Sequence, residues 1–160
     1  MERARVLAVA SGGGHWVQLL RLAPAWADLE CAYMTTSAGL ERDLPGGRDS
    51  NQRFYVVPDA NRSRKVDLLR QLTAVGHVVL RERPTVVITT GASVGFFALV
   101  AAKAIGSRTV WLDSIANADE WSLSGKRARR LADLWLTQWP ELAEGRSGQQ
   151  DGPFYRGSVL

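Results

Sequence analysis

The sequence predicts a doubly wound α/β fold built on a mainly parallel, Rossmann-like sheet. Short β-prone runs alternate with segments of helical periodicity along the chain. Most of the β-prone runs are apolar throughout, which is typical of parallel strands that are covered on both faces. Right-handed crossovers between such strands give a doubly wound sheet, and ligands of such sheets lie beyond the carboxyl ends of the strands.

The individual elements follow from apolar periodicity and from the positions of glycine and proline. Strands are predicted at residues 5–10, 32–36, 53–57, 85–90, 108–112 and 134–137. Helices are predicted at residues 16–27, 65–82, 94–105 and 124–131, and Pro84 ends the second of these. The polar, glycine-rich residues 143–152 predict a mobile tail. We expect one domain that covers residues 1–160.

Composition narrows the class of protein. A chain with 46% hydrophobic and 22% charged residues is expected to fold as a soluble domain. Cys31 is the single cysteine, which excludes an internal disulfide and suits a reducing cytoplasm. No apolar stretch reaches the roughly 18 residues of a membrane span. No signal peptide is recognisable before the first strand.

Positive charge is concentrated in two segments. Residues 61–83 contain six basic and two acidic side chains, and residues 126–130 contain four basic side chains. Such runs are commonly solvated helix faces. They also suit an anionic surface, for which phospholipid headgroups, a lipid diphosphate and nucleic acid are the candidates. The basic residues of the first segment are Arg62, Arg64, Lys65, Arg70, Arg81 and Arg83.

A glycine-rich turn with a histidine follows the first predicted strand. Ser11, Gly12, Gly13 and Gly14 lie between strand and helix, where free backbone amides and the helix dipole favour an anion such as phosphate. A structural tight turn is the alternative, since the spacing matches neither a dinucleotide fingerprint nor a P-loop. His15 at the helix start is a candidate general base in its neutral form, or else a residue that braces the turn.

Two further strand ends carry polar groups that point to the same sheet edge. Thr90, Gly91 and Ser93 follow the fourth strand and predict a second phosphate or sugar site, with helix capping by Thr90 or Ser93 as a compatible alternative. Asp113 follows the fifth strand and is a candidate either for ligand binding or for loop structure. Trp121 and Trp139 lie in or beside loops and are candidate interface residues.

Several segments together are similar to one protein family. The stretch Ser-Gly-Gly-Gly-His-Trp-Val-Gln-Leu at 11–19 is similar to the family's Ser-Gly-Gly-His-x-x-Gln/Glu-Leu. Residues 89–92 with Lys103 resemble its Thr-Gly…Lys segment. The strongest similarity joins Trp-Leu-Asp-Ser at 111–114, Ser-Leu-Ser-Gly-Lys at 122–126 and the block at 132–141 that ends in Gln-Trp-Pro-Glu. The closing segment 155–159 is similar too. Together these segments resemble the Alg14-like family, the acceptor-side subunits of bipartite UDP-sugar glycosyltransferases.

The resemblance implies a fold like the N-terminal half of a GT-B glycosyltransferase. A separate partner, similar to the C-terminal half, would then supply most of the UDP-sugar site. This chain would bind a lipid-linked saccharide acceptor and dock peripherally on the cytoplasmic face of the inner membrane. Ser114 and Lys126 would contact substrate, and Gln138, Trp139 and Glu141 would contact the partner. Asp113 stands where the family usually has Glu, and residues 117–121 depart from the family's basic, proline-containing stretch.

The sequence therefore predicts a glycosyltransferase subunit that moves a sugar from a UDP-sugar to a polyprenyl-diphosphate-linked saccharide. His15 or Asp113 would remove the proton of the acceptor hydroxyl during direct displacement at the anomeric carbon. No cofactor, no divalent metal and no nucleic-acid partner are expected. One alternative is a non-catalytic module that docks and positions the acceptor for a catalytic partner. A remoter alternative, a dinucleotide-dependent oxidoreductase, lacks the expected ribose-binding carboxylate.

Overall fold

The computed structural model describes residues 4–47, 52–61, 63–143 and 152–159. These residues form a seven-stranded sheet of order β3-β2-β1-β4-β5-β6-β7, and every neighbouring pair of strands is parallel. The predicted doubly wound fold is thus confirmed. The strands are β1 (Arg5–Val9), β2 (Glu30–Thr35), β3 (Arg53–Val56), β4 (Val86–Thr89), β5 (Arg108–Leu112), β6 (Leu134–Thr137) and β7 (Phe154–Tyr155).

Helices cover both faces of this sheet. They are α1 (Gly14–Leu22), α2 (Lys65–Glu82), α3 (Ala92–Ala104) and α4 (Leu123–Ala128). The predicted first helix, 16–27, is divided into α1 and a short 3₁₀ turn, Ala23–Trp26, because Pro24 cannot supply a backbone N–H to a continuing α-helix. Among the described residues no helix is both long enough and apolar enough to span a bilayer.

The two faces bury separate hydrophobic cores. On the first face, α2 and α3 pack on inward-pointing strand residues such as Val87 and Trp111, both with no exposed surface. On the second face, α1 contributes Trp16 and Leu19 to a core that includes Tyr33. Continuous burial of alternating side chains on both sides explains why the strands are apolar at nearly every position.

The strand order reverses between β1 and β4, which pair directly although their first paired positions, Val6 and Val86, are 80 residues apart in sequence. In a doubly wound sheet the chain leaves β1 and β4 in opposite directions, and a crevice opens at their carboxyl ends. The loops after β1 and β4 carry the glycine-rich turn and residues 90–91. The fold therefore brings these two motifs together.

The seventh strand was not predicted. Phe154 and Tyr155 form only two residues of strand beside β6, and both are exposed. Such a short edge strand has no periodicity from which it could be recognised. Most of the tail predicted to be mobile, residues 144–151, lies outside the described residues, as does Arg62 of the first basic segment.

Candidate functional site

A cleft of about 360 Å³ opens at the switch point of the sheet. One wall is formed where α1 and α3 begin, and the other by the segment between β5 and α4. The cleft is lined by His15, Gly91, Ala92, Ser114, Ala116, Asn117, Glu120, Trp121, Ser122, Leu123 and Ser124. Amide, hydroxyl and aromatic groups dominate this lining, which suits a polar ligand such as a saccharide.

His15 and Thr90 form two hydrogen bonds with each other across the crevice. The Nδ1 atom of His15 lies 2.7 Å from the backbone oxygen of Thr90, and the Thr90 hydroxyl donates to the backbone oxygen of His15 at 2.7 Å. A carbonyl oxygen only accepts, so Nδ1 must carry a hydrogen. In the neutral ring, Nε2 then bears the lone pair. The contacts of the described residues give Nε2 no hydrogen-bond partner, so it is available to a ligand.

Gly91 makes room for the His15 ring. Its φ of 125° disfavours any side chain, and a Cβ there would lie 2.9 Å from Cε1 of His15. The next residue, Ala92, has a φ of 64°, which is uncommon for a residue other than glycine. The turn between β4 and α3 therefore stores strain directly at the cleft, as functional sites often do.

The glycine-rich turn lies beside the cleft and leaves the start of α1 open. Gly13 has a φ of 76°, and no side chain caps the helix. Its backbone oxygen accepts from the amides of Trp16 and Val17, and the Gly12 amide lies 3.4 Å from the Thr36 hydroxyl. Anion binding by Ser11, Gly12, Gly13 and Gly14 stays a prediction.

The expected capping of α3 by Thr90 or Ser93 is wrong. Gly91 occupies the N-cap position, and no side chain hydrogen-bonds there. The Thr90 hydroxyl instead reaches His15, as described above, while Ser93 lines a separate apolar groove together with Phe96 and Phe97. Thr90 and Gly91 thus belong to the cleft and Ser93 lies outside it.

Asp113 is only 3% exposed, and its carboxylate is bonded within its own loop. One carboxylate oxygen accepts from the Ser122 amide at 3.0 Å, and the other lies 3.4 Å from the Asn117 side-chain nitrogen. A Cβ at Gly125 would meet the Asp113 carboxylate at 3.0 Å, so this glycine allows the close approach. The geometry favours the loop-structure alternative for Asp113, whereas its role as a base stays a prediction.

Ser114 lines the cleft, and the buried Gln18 is hydrogen-bonded to it. The Ser114 hydroxyl oxygen is 3.3 Å from both the Gln18 side-chain nitrogen and the Ala116 amide. Because both of these groups donate to it, the hydroxyl hydrogen of Ser114 remains available to a ligand. Gln18 belongs to the family-like opening motif, but nothing in its local sequence showed that its amide would reach the other wall.

The predicted interface residues differ in their placement. Gln138 is 3% exposed and bonds to Gln18, Asp113 and Val159, so its assignment to a partner surface is corrected: it is an interior residue. Trp139 is half-buried and donates from Nε1 to the backbone oxygen of Ile115 at 2.8 Å. Glu141 is exposed. Contact of Trp139 and Glu141 with a partner stays a prediction.

Lys126 forms an ion pair with a residue that lines the cleft. Its ammonium group lies 2.8 Å from a carboxylate oxygen of Glu120, which lines the cleft. The hydrogen bond from Lys126 lowers the pKa of Glu120 below its ordinary value. Trp121 also lines the cleft, donates from Nε1 to the Leu142 backbone oxygen and packs edge-on against Trp135. The expected substrate contact of Lys126 stays a prediction.

The described residues contain no cluster of three or more histidine, cysteine, aspartate or glutamate side chains that could hold a metal ion. The expectation that no metal or cofactor is needed stays a prediction.

Comparison with solved structures defines the class of protein. The chain superposes on Acinetobacter baumannii MurG with a TM-score of 0.73 at 15% identity, covering 98% of this chain and 46% of that one. For the UDP-GlcNAc 2-epimerase of Methanocaldococcus jannaschii the TM-score is 0.67 at 11% identity, covering 96% and 45%. The chain thus has the fold of one half of a GT-B glycosyltransferase, and it spans just under half the length of these proteins.

The family follows from sequence. Residues 6–152 match the family model described as "Oligosaccharide biosynthesis protein Alg14 like". The mouse protein "UDP-N-acetylglucosamine transferase subunit ALG14" is 27% identical over 171 residues, covering 89% of this chain and 79% of that protein. The chain therefore belongs to the Alg14-like family, which gives it a glycosyltransferase-associated role.

Proposed function

We propose that this chain is the acceptor-side subunit of a bipartite glycosyltransferase that moves a sugar from a UDP-sugar to a polyprenyl-diphosphate-linked saccharide. The observation that carries the proposal is the cleft at the switch point, with the free Nε2 of His15 in its lining. Membership of the Alg14-like family supports the division of the enzyme into two chains. The partner would correspond to the half of a GT-B protein that this chain does not span.

The reaction needs one proton acceptor, and in this proposal it lies in this chain. Nε2 of His15 takes the proton of the acceptor hydroxyl while the hydroxyl oxygen bonds to the anomeric carbon of the sugar. The bond from that carbon to the UDP oxygen breaks, and UDP leaves with the electron pair. Thr90 keeps Nδ1 protonated and holds the ring, so that Nε2 remains the basic atom. The partner binds and orients the UDP-sugar.

An apolar groove next to the cleft suits the lipid part of the acceptor. The groove has a volume of about 400 Å³ and shares Leu123 and Ser124 with the cleft. Its remaining walls come from α2, α3 and α4: Leu68, Ser93, Phe96, Phe97 and Arg127. A saccharide in the cleft and an isoprenoid chain in the groove would then lie side by side. The open start of α1, at Gly13 and Gly14, would be close to the linking diphosphate.

Basic and apolar side chains around this groove support peripheral docking on the cytoplasmic face of the inner membrane. Lys65, Arg127 and Arg130 are exposed, and Leu123 is 64% exposed. Each cation near an anionic surface contributes about 1 kcal/mol to membrane binding. This docking would present the cleft to a membrane-embedded acceptor.

The alternative of a non-catalytic positioning module has support from the same histidine. The two hydrogen bonds between His15 and Thr90 would also suit a residue that only braces the turn. In that case the partner would supply the base. The two functions differ in their prediction for substitutions of His15, which are treated in the Discussion.

The two-part proposal is tested by reconstitution. We expect the purified chain alone to show little or no transfer from UDP-N-acetylglucosamine to a polyprenyl-diphosphate saccharide, because the donor site of a half-enzyme is open to water. Transfer should appear when the partner, sought as a neighbouring gene product similar to the C-terminal half of a GT-B enzyme, is added. UDP release and product mass measure both reactions. Robust turnover by the single chain would contradict the two-part proposal.

A further inference from the structure

We infer that Gln18 is a positioning residue, whose buried side-chain amide fixes the two walls of the cleft relative to each other. The inference rests on the proposed function, because it assigns a role in the same reaction. One wall is the first turn of α1, which carries His15. The other wall is the segment after β5, which carries Ser114 and Ala116.

The Gln18 amide makes four hydrogen bonds that join these walls. Its nitrogen donates to the Gly14 backbone oxygen at 3.2 Å and to the Ser114 hydroxyl at 3.3 Å. Its oxygen accepts from the Ile115 amide at 3.1 Å and from the Gln138 side-chain nitrogen at 2.5 Å. Both donors and both acceptor positions of the amide are therefore used inside the protein.

The orientation of this amide is determined by backbone partners. The Ile115 N–H can only donate and the Gly14 carbonyl can only accept, so oxygen and nitrogen cannot be exchanged. The Gln138 side chain extends this hydrogen-bond network, and its orientation is also determined by backbone partners. Its nitrogen also donates to the Asp113 backbone oxygen at 3.0 Å, and its oxygen accepts from the Val159 amide at 3.0 Å.

The network fixes geometry as well as adding stability. Gln18 is 6% exposed, so removing its amide alone would leave buried partners such as the Ile115 amide without a hydrogen bond, which is destabilising. A fully satisfied buried polar network also selects a single arrangement of the segments that it joins. His15 follows Gly14 directly, and Ser114 lies in the opposite wall. Small errors in such an arrangement are expensive, since a displacement of about 1 Å can cost about 100-fold in rate.

Three variants separate positioning from stability. Gln18→Met removes all four bonds and keeps the side-chain length. Gln18→Glu keeps an acceptor for Ile115 and Gln138, and the related family motif carries either Gln or Glu at this position. Gln71→Met is the matched control, because Gln71 has no exposed surface, lies on α2 and donates to the Pro58 backbone oxygen at 2.8 Å, away from the cleft.

The first measurement is amide hydrogen exchange on the full chain, followed by NMR. In the wild type the Ile115 amide should be as protected as the strand amides, because its acceptor is buried. We expect Gln18→Met to lose this protection, and Gln18→Glu and Gln71→Met to keep it. Unchanged protection of Ile115 in Gln18→Met would overturn the inference.

The second measurement is the kinetics of the reconstituted two-chain enzyme. Gln18→Met should lower kcat about 10- to 100-fold with a smaller change in the KM for the acceptor. Gln18→Glu should recover most of this loss. Gln71→Met removes one hydrogen bond of an equally buried amide, so it should lower the melting temperature less than Gln18→Met and leave kcat near the wild-type value. Equal kcat in the two Met variants would overturn the inference.

Two further outcomes keep the test decisive. If Gln18→Met does not fold, Gln18→Glu carries the test: retained protection of Ile115 together with retained kcat, or loss of both, supports the inference, and a change in only one of them overturns it. If the wild-type pair shows no transfer while the exchange results are as expected, the proposed function fails and the structural role of Gln18 stands. The two failures are thus distinguishable.

Discussion

At the scale of single residues, the central feature is the pair formed by His15 and Thr90. Both hydrogen bonds join backbone to side chain across 75 residues of sequence. The bond between Nδ1 and the Thr90 oxygen fixes the hydrogen on Nδ1 and leaves Nε2 free in the cleft. The same bond also gives the His15 side chain a structural role, so its simple removal changes catalysis and stability together.

Replacing His15 with Asn and with Ala separates these two roles. The Asn side-chain nitrogen can donate to the Thr90 oxygen as Nδ1 does, but Asn has no counterpart of Nε2. If His15 is the base, both variants should lower kcat of the reconstituted enzyme about 100-fold or more. Only His15→Ala should also lower the melting temperature, since it loses a hydrogen bond that contributes about 1 kcal/mol.

The kinetics are measured at saturating substrates and the melting temperatures by circular dichroism. Near-wild-type kcat in His15→Asn would assign the base to Asp113 or to the partner. His15 would then be retained only as the brace of the turn.

At the scale of elements, α2 and α4 both carry exposed leucine side chains, and these lie at different ends of the sheet. The inner face of α2 buries Val75 and Val79, while Leu69 and Leu80 are exposed on its outer side. The short α4 begins with the exposed Leu123, and Ser122 caps it by accepting from the Gly125 amide at 2.8 Å. Leu123 lies at the edge of the sheet that carries the cleft, whereas Leu80 lies at the opposite end, beside Pro84.

This difference gives a prediction for membrane binding. Leu123→Glu should weaken sedimentation with anionic liposomes, because it places a negative charge at the expected contact surface. Leu80→Glu is the matched control, since Leu80 is 60% exposed and Leu123 is 64% exposed. Wild-type binding should decrease as the salt concentration rises. Equal binding to neutral vesicles at high salt, or equal loss in both variants, would contradict docking through this surface.

At the scale of the whole molecule, stability at alkaline pH depends on ionisable groups that are buried in the core. Cys31 and Tyr33 both belong to the core beneath α1. Burial raises the pKa of the Cys31 thiol to about 12 and that of the Tyr33 hydroxyl to about 12, although Trp26 donates a hydrogen bond to Tyr33 at 3.1 Å. Both groups therefore stay protonated in the folded protein at ordinary pH.

The raised pKa of Cys31 predicts a loss of stability in alkali. Above about pH 9 the thiol of the unfolded chain ionises while the folded thiol keeps its proton, so the folded state binds more protons and becomes less stable as pH rises towards 12. Below this range the thiol does not affect the pH dependence. Cys31→Ala should therefore flatten the decline of melting temperature between about pH 9 and pH 11. A decline of the same slope in both proteins would show that Cys31 is not buried as described.

The fold was predictable from sequence because its determinants are local. Apolar runs, helical periodicity and Pro84 define most of the elements, and the alternation of strands and helices leaves little choice of architecture. The same local signals placed His15 and Gly91 at strand ends, and hence at one edge of the sheet. The two-residue β7 was beyond such patterns, whereas Pro24 is a local signal for the division of the first helix that the prediction did not use.

By itself, then, the sequence determined the doubly wound fold, the similarity to the Alg14-like family and the edge of the sheet at which the cleft would open. Only the tertiary structure decided which polar groups meet there: His15 with Thr90, and Gln18 with Ser114 and Gln138, which are 96 and 120 residues away. The tertiary structure also placed the Asp113 and Gln138 side chains in the interior. The physical reason is that periodicity and turn residues encode local conformation, whereas a hydrogen-bond partner depends on how distant segments pack around the sheet.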